Sequence, residues 1–374
     1  MARLKTSKYL QSPWLEGIIM VSSIVLSYFG LAILSLVPGT PAQGEMATSV
    51  IAWILFAFFM LSVAIAMISV IAGIGGGVIF TPIMLAFTNV NSVVVRGTGL
   101  IVAMFSGLIS TGIFMKKGIG NYRLCLVMTL SQGFGALAGS TIAVATAAGA
   151  GAGGEGLMRL GLGVILLMIS VYFFSGGKKL EWPEIKHIDS FTRRMRLGGN
   201  YFEESEGIIR EYEVTRAPLG ILLVFLVGVL GGFFGMGGGW AITPSLNLGM
   251  GLPLKLAAAN SGVILGIGSC VSIWPYIYAG GVIPFFALPW LAGQVIGGFI
   301  GSYVLARIKV HVVRLILIGI MLFTSFGLVT KGLEILGLMG RMPPVIQVAV
   351  FTVCLGGVMI ALFSGAGKEK KQNG

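Results

Sequence analysis

The chain has 374 residues, 56% of them apolar and only 10% charged, with 25 Lys and Arg against 13 Asp and Glu for a net charge of +12. A soluble domain carries about a quarter charged residues, so this composition, with a mean hydropathy of +0.96, excludes a water-soluble globular protein and reads as a polytopic membrane protein. The cations lie between apolar spans and not on one wet face, which argues against nucleic acid as a partner.

Uncharged apolar runs able to cross about 30 Å of hydrocarbon occur near 17–37, 50–74, 96–115, 124–145, 157–174, 218–234, 257–278, 285–306, 312–330 and 345–363. They predict an all-α fold with about ten transmembrane helices. The first run follows Arg3, Lys5 and Lys8 and is longer than the roughly 7–15 apolar residues of a signal peptide, so it reads as a retained helix. Two shorter apolar segments opened by glycines, 75–92 and 237–252, interrupt the series. The polar stretch 175–217 holds eight acids and eight bases. It reads as a neutral connector, with room for a short helix or hairpin at the membrane surface between Glu203 and Glu213. The resulting organisation is an N-terminal tail with an extra helix (1–49), a first repeat (50–174), a cytoplasmic loop (175–217), a second repeat (218–330), and an extra helix with a basic tail (331–374).

If the short segments also carry the chain across the bilayer, 21 of the 25 cations fall on one side. The positive-inside rule then places both termini and the large loop in the cytoplasm, in a multi-pass protein of the inner or plasma membrane.

Comparing the halves reveals Gly73-Ile74-Gly75-Gly76-Gly77 with Thr81-Pro82, and Gly235-Met236-Gly237-Gly238-Gly239 with Thr243-Pro244, offset by 162 residues. The same offset pairs Ser110 with Ser272, Gly118 with Gly280, Gln132 with Gln294, Gly135 with Gly297 and Gly139 with Gly301. Five crossings per copy, an odd number, predict that the second copy lies upside down, as in many secondary transporters.

Broken backbone inside a bilayer is tolerated only where it is buried in protein or lines a wet cavity. A helix restarting at Gly77 or Gly239 offers unpaired N–H donors and a positive dipole end to an anion, and glycine lets the ligand approach the backbone. Each proline, one turn in, bends the segment, and Thr81 and Thr243 add hydroxyls. Close helix packing is the bland alternative for the same glycines. Arg96 reads either as an anion receptor or as an interfacial snorkelling cation. Thr98 and its counterpart Asn260, with Ser261, place small polar groups just after each break. Gln132, Gln294, Ser110 and Ser272 read first as residues that join helices, with lining the path as the alternative.

Acids are absent from span interiors, which argues against a buried carboxylate proton relay and against a cation as substrate. With only His187, His311 and Asp189 as candidate partners, a Ser-His-Asp triad or a metal cluster lacks its parts. Cys125, Cys270 and Cys354 are widely spaced small hydrophobes. No enzyme, cofactor or metal is expected.

The paired Gly-x-Gly-Gly-Gly-x-x-x-x-Pro segments, each followed by a small polar element and a Gly-rich helix, resemble the sulfite exporter TauE/SafE family, also called toluene-sulfonate uptake permeases. The resemblance covers roughly 50–175 and 218–330. It implies a carrier for sulfite, sulfate, sulfoacetate or other organosulfonates, with Gly75 to Gly77 and Pro82, and Gly237 to Gly239 and Pro244, on the family's repeat motifs. The extra terminal spans, the long loop, and Ala259-Asn260-Ser261 in place of a Gly-Thr-Ser string depart from that pattern. The reading is a secondary transporter of small sulfur oxyanions in the lipid bilayer, with self-association left open. An anion channel, or a non-transporting membrane partner of a sulfur-metabolic enzyme, are the alternatives.

Overall fold

A computed structural model describes residues 48–340 apart from 73, 88–89, 148, 150, 177–182, 184–187, 204–206 and 308–309, with 342, 343, 346 and 349 beyond them. The apolar run at 17–37, that at 345–363 apart from Ile346 and Ala349, and Cys354 lie outside the described residues.

The described chain is mostly helical. A long helix α1 (Thr48–Ala72) leads into the first glycine run and a short helix α2 (Gly77–Phe87). Three long helices follow: α3 (Ser92–Lys116), α4 (Tyr122–Ala147) and α5 (Gly151–Gly176). A short helix α6 (Ser190–Met195) and a hairpin of β1 (Gly199–Glu203) and β2 (Ile208–Tyr212) fill the polar stretch. Then come α7 (Ala217–Phe234), the second glycine run, α8 (Gly239–Pro244), a π turn at Ser245–Gly249, α9 (Leu254–Ser272), α10 (Trp274–Tyr278), α11 (Pro284–Arg307) and α12 (Val310–Ile335). Among the described residues, α1, α3, α4, α7 and the continuous α9–α10 segment are long and apolar enough to cross a membrane.

Local chemistry sets several of these boundaries. The 25 residues of α1 contain neither Gly, Pro nor charge. Asn91 caps α3, its Oδ1 accepting the Val93 N–H at 2.8 Å. Pro218 opens α7, where a missing N–H costs nothing, and Gly235, at φ +68°, closes it.

The bundle is apolar outside and small inside, as a lipid solvent selects. On α4, Leu126, Leu130 and Phe134 recur every fourth residue on the outer face, each more than half exposed. On its inner face Gly135 and Gly139 leave no room for a Cβ against the backbone of Phe225 and Val229 on α7. The same contact recurs 162 residues on with the partners exchanged: Gly297 and Gly301 of α11 press on Val63 and Met67 of α1. Helix starts recur at that offset too, Gly77 with Gly239, Ser92 with Leu254, Tyr122 with Pro284.

Helices α5 and α12 meet along their length. Gly156 faces Gly332, Ser325 donates to the Gly163 carbonyl at 2.6 Å, and Ser170 donates to the Ile318 carbonyl at 3.4 Å. As one residue number rises the other falls by as much, so the two helices run antiparallel. Innermost lies the α9–α10 segment, 83% buried against 33% for the apolar window of α1.

The polar stretch departs from a plain connector. Asp189 caps α6 by accepting the Thr192 N–H at 3.0 Å, and its other oxygen accepts the Arg216 N–H at 2.7 Å. In the hairpin, register Gly199 to Tyr212 through Glu203 to Ile208, Tyr201 and Glu203 turn inward while Phe202 faces out. Glu203 pairs with Lys255 at the first turn of α9, both side chains 1% exposed. Asn121, in the α3–α4 turn, donates to the Leu197 carbonyl at 2.6 Å and the Tyr212 hydroxyl at 2.9 Å. The stretch is therefore a folded cap docked on one end of the bundle. A balanced count of eight acids and eight bases conceals this, because composition does not say that one acid is buried.

Candidate functional site

The two glycine runs meet in the interior. Gly75 and Gly237 both adopt left-handed backbone, φ +77° and +70°, a conformation that costs glycine nothing. This turn lets each chain leave one helix and start another. A Cβ at Gly77 would stand 2.5 Å from the Gly99 carbonyl oxygen and 2.7 Å from that of Met236. Gly239 is pressed just as closely on the Ile74 backbone. Ile74 and Met236 are themselves 162 residues apart, so the two contacts are one contact made twice with the partners exchanged, as a two-fold relation requires. Leu265 of α9 lies under both turns, against Gly75 and Gly237.

The first break is the better furnished with polar groups. The Gly76 N–H donates to Ser106 Oγ at 3.0 Å, and Ser106 in turn donates to the Ala103 carbonyl at 3.0 Å. Gln294 reaches in from α11. Its Nε2 donates to Ser62 Oγ at 3.0 Å and to the Ser62 carbonyl at 3.3 Å, which orients the amide. Its Oε1, 2.5 Å from where a Gly76 Cβ would be, has no partner. Ser62 itself donates to the Trp290 carbonyl at 2.6 Å.

The other expected residues divide. Thr81 donates to the Gly235 carbonyl at 2.9 Å, tying α2 to the end of α7, and Thr243 donates to Ser261 Oγ at 2.9 Å. The Thr81 hydroxyl thus braces the crossing, and that of Thr243 ties α8 to α9. Pro82 and Pro244 are buried, and the helical ladder widens to a π turn immediately after Pro244. Arg96 is 3% exposed, not snorkelling at an interface. Its side chain hydrogen-bonds the Tyr276 hydroxyl and its backbone lies against Gly235, placing its cation by the negative end of the α7 dipole. The Thr98 hydroxyl is buried without a partner.

Asn260 is saturated: Oδ1 accepts from the Asn121 N–H at 2.7 Å and Cys125 Sγ at 3.0 Å, and Nδ2 donates to the Ile119 and Leu256 carbonyls at 3.2 and 2.7 Å. That uses the full capacity of the amide. Ser110 and Ser272 bond back within their own helices, to the Gly107 and Ser269 carbonyls. Ser62 and Ser106 are the residues that comparing the halves by identity misses, because their counterparts are Val224 and Gly268.

Residues 58–328 match the sulfite exporter TauE/SafE family. The chain belongs to that family. This TauE/SafE member is 25% identical over 268 residues to the probable membrane transporter protein YunE of Bacillus subtilis (strain 168), covering 70% of this chain and 92% of that relative. No solved structure matches it. With its family and its apolar helices together, this TauE/SafE chain is a multi-pass membrane protein of a transporter family.

Proposed function

We propose that this chain is a secondary transporter that moves small sulfur-containing oxyanions, such as sulfite, sulfate, sulfoacetate or another organosulfonate, across the cell membrane by alternating access. The observation that carries the reading is the reciprocal crossing of the two glycine breaks, Gly77 on Met236 and Gly239 on Ile74, in the interior of a TauE/SafE chain. An oxyanion needs several convergent donors. The N-terminus of α2 turns its positive dipole end toward the crossing without any fixed carboxylate opposing the ligand, while the N–H groups of Gly76, Val78, Ile79 and Phe80 are held by Ser106 Oγ and the Gly75 and Gly76 carbonyls and would have to exchange these partners for the anion. The halves form inverted repeats within a bundle of about ten spans, a reading supported by the antiparallel seam of α5 on α12 and by the exchanged contacts of α4 on α7 and α11 on α1. The cation count supports both termini and the hairpin cap on the cytoplasmic side.

Counterflow of radiolabelled sulfite in proteoliposomes tests this, with unlabelled sulfite, sulfate, sulfoacetate, phosphate and chloride as competitors. Sulfur oxyanions are expected to compete and chloride is not. Gly76→Leu, which drives a side chain into Gln294 and Val102, and Gly238→Leu, which meets the side chains of Ile242 and Val227, are expected to insert in the membrane but to lose at least about tenfold in rate, or about 1.4 kcal/mol of barrier. Normal exchange by both variants would remove the breaks from the site.

A further inference from the structure

We propose that Gln132 is a ligand-binding residue, and that it selects a small sulfur oxyanion carrying its own hydrogen-bond donor, of which hydrogensulfite is the simplest case. The inference rests on the transporter reading above. Gln132 lies in the middle of α4, fully buried at 0% exposure, and neither Oε1 nor Nε2 has a hydrogen-bond partner. Buried amides in native proteins are almost always paired, because desolvating both ends without replacement is destabilising. Inside a bilayer no bulk water is at hand to relieve the loss.

The other half of the molecule shows the matching amide held at one end, with its Oε1 likewise unpaired. Gln294, 162 residues on, has Nε2 anchored by Ser62 and stands beside Gly76, whose N–H is held by Ser106. At the two positions matching those serines the chain carries Val224 and Gly268. The missing side chain of Gly268 leaves room that the Gln132 amide itself fills, its Oε1 nearest and its Cδ 2.6 Å from where a Cβ would be. The serine that would pair the amide is replaced by Val224, which has no hydrogen-bonding group, and the serine beside it by Gly268.

Gln132 also lies close to the crossing. Its backbone carbonyl packs on Gly228 of α7, and Gly231, one turn later on that helix, packs on Gly237 and Gly238. Gly268 lies one turn along α9 from Leu265, which touches both breaks. One turn of α7 and one turn of α9 therefore connect the neighbours of Gln132 to the breaks.

The amide also constrains the chemistry of its ligand. Nε2 donates and Oε1 only accepts, so a ligand meeting both ends must accept one hydrogen bond and donate another. A singly protonated sulfur oxyanion does so. Sulfate and unsubstituted alkanesulfonates present acceptors alone and leave Oε1 facing their negative oxygens.

The test is counterflow of radiolabelled sulfite in proteoliposomes in mildly acidic buffer, competed by unlabelled hydrogensulfite and by methanesulfonate, which has acceptor oxygens and no donor. The wild-type protein is expected to prefer hydrogensulfite by about tenfold or more, the discrimination of one well-made hydrogen bond. Gln132→Met keeps the side chain's length and removes the amide. It is expected to bring the ratio close to one and, in ligand-free protein, to raise the melting temperature by roughly 2 °C or more, because an unpaired group has gone. Gln294→Met is expected to lower it, because the bonds that Nε2 donates to the Ser62 hydroxyl and carbonyl are lost.

Gln132→Met with wild-type preference for hydrogensulfite overturns the proposal and leaves a trapped water as the occupant. A melting temperature for Gln132→Met below that of wild type also overturns it, marking a structural glutamine. If the wild-type protein exchanges no sulfur anion, the transporter reading falls and this inference with it. If it exchanges them and Gln132→Met does so with the same preference, only the role of Gln132 falls.

Discussion

Glycine does different work at different residues of this chain, and the structure separates the cases. Gly139 of α4 faces the Val229 backbone with no room for a methyl group, while Gly112 of α3 has nothing within 4 Å of a Cβ. Gly139→Ala is therefore expected to destabilise by about 1–3 kcal/mol through overpacking against backbone that cannot yield. Gly112→Ala is expected to stabilise by about 0.5–1 kcal/mol through helix propensity. Thermal unfolding in detergent reads both, and equal shifts in one direction would refute the contrast. Asn260 illustrates the reverse of a ligand residue: four hydrogen bonds to the protein leave it no capacity for substrate. Its position after the second break, matched with Thr98 in the first, signalled a polar site. Whether the polar atoms pointed into that site or tied down the neighbouring turn depended on the approach of Asn121 and Cys125 from a distant part of the chain.

At the scale of elements, the hairpin cap is the part whose sequence said least about its role. Removing one partner of a buried ion pair leaves an uncompensated charge, so Glu203→Gln is expected to cost about 3–5 kcal/mol. The double variant Glu203→Gln with Lys255→Met is expected to recover most of it. Limited proteolysis within 204–206 reports whether the hairpin undocks, and no recovery in the double variant would mean that the pair is not what holds it. The cap on α6 responds to pH. The Thr192 hydroxyl, first among the groups acting on it, holds the Asp189 carboxyl below its ordinary range. Such a depressed group contributes stability above its unfolded value that is lost as pH falls through the folded one. Amide exchange across 190–195 is therefore expected to quicken on acidification through the carboxylate range, and Asp189→Asn is expected to abolish that dependence. Exchange independent of pH in the wild type, after correction for the intrinsic rate, would sink the assignment.

For the whole molecule, the proposed inverted arrangement makes a prediction that needs no substrate. Lys116 and Tyr278 are 162 residues apart and both are exposed, at the ends of α3 and of α10. In a background lacking Cys125, Cys270 and Cys354, Lys116→Cys is expected to react with a membrane-impermeant maleimide only in inside-out vesicles. Tyr278→Cys is expected to react only in right-side-out cells. Labelling of both from one face would exclude inversion and remove the physical basis for two-sided access to a shared crossing.

The sequence by itself determined a helical membrane protein, the family, the duplicated glycine runs and the residues where the backbone breaks. Each is a local pattern: apolar length, charge placement, or a motif repeated at a constant offset. Tertiary structure alone decided which polar groups are occupied and which are not. Ser62 pairs the Gln294 side chain and Ser106 the Gly76 N–H at the first break, yet they are the positions where the repeat fails, so likeness between the halves passes over them. Lys255, by sequence one more cation on the basic side, forms a buried pair with Glu203, 52 residues away. The physical reason is the same in each case: burial in a bilayer makes pairing decisive for any polar group, and the partners are brought together only by helices distant in the chain.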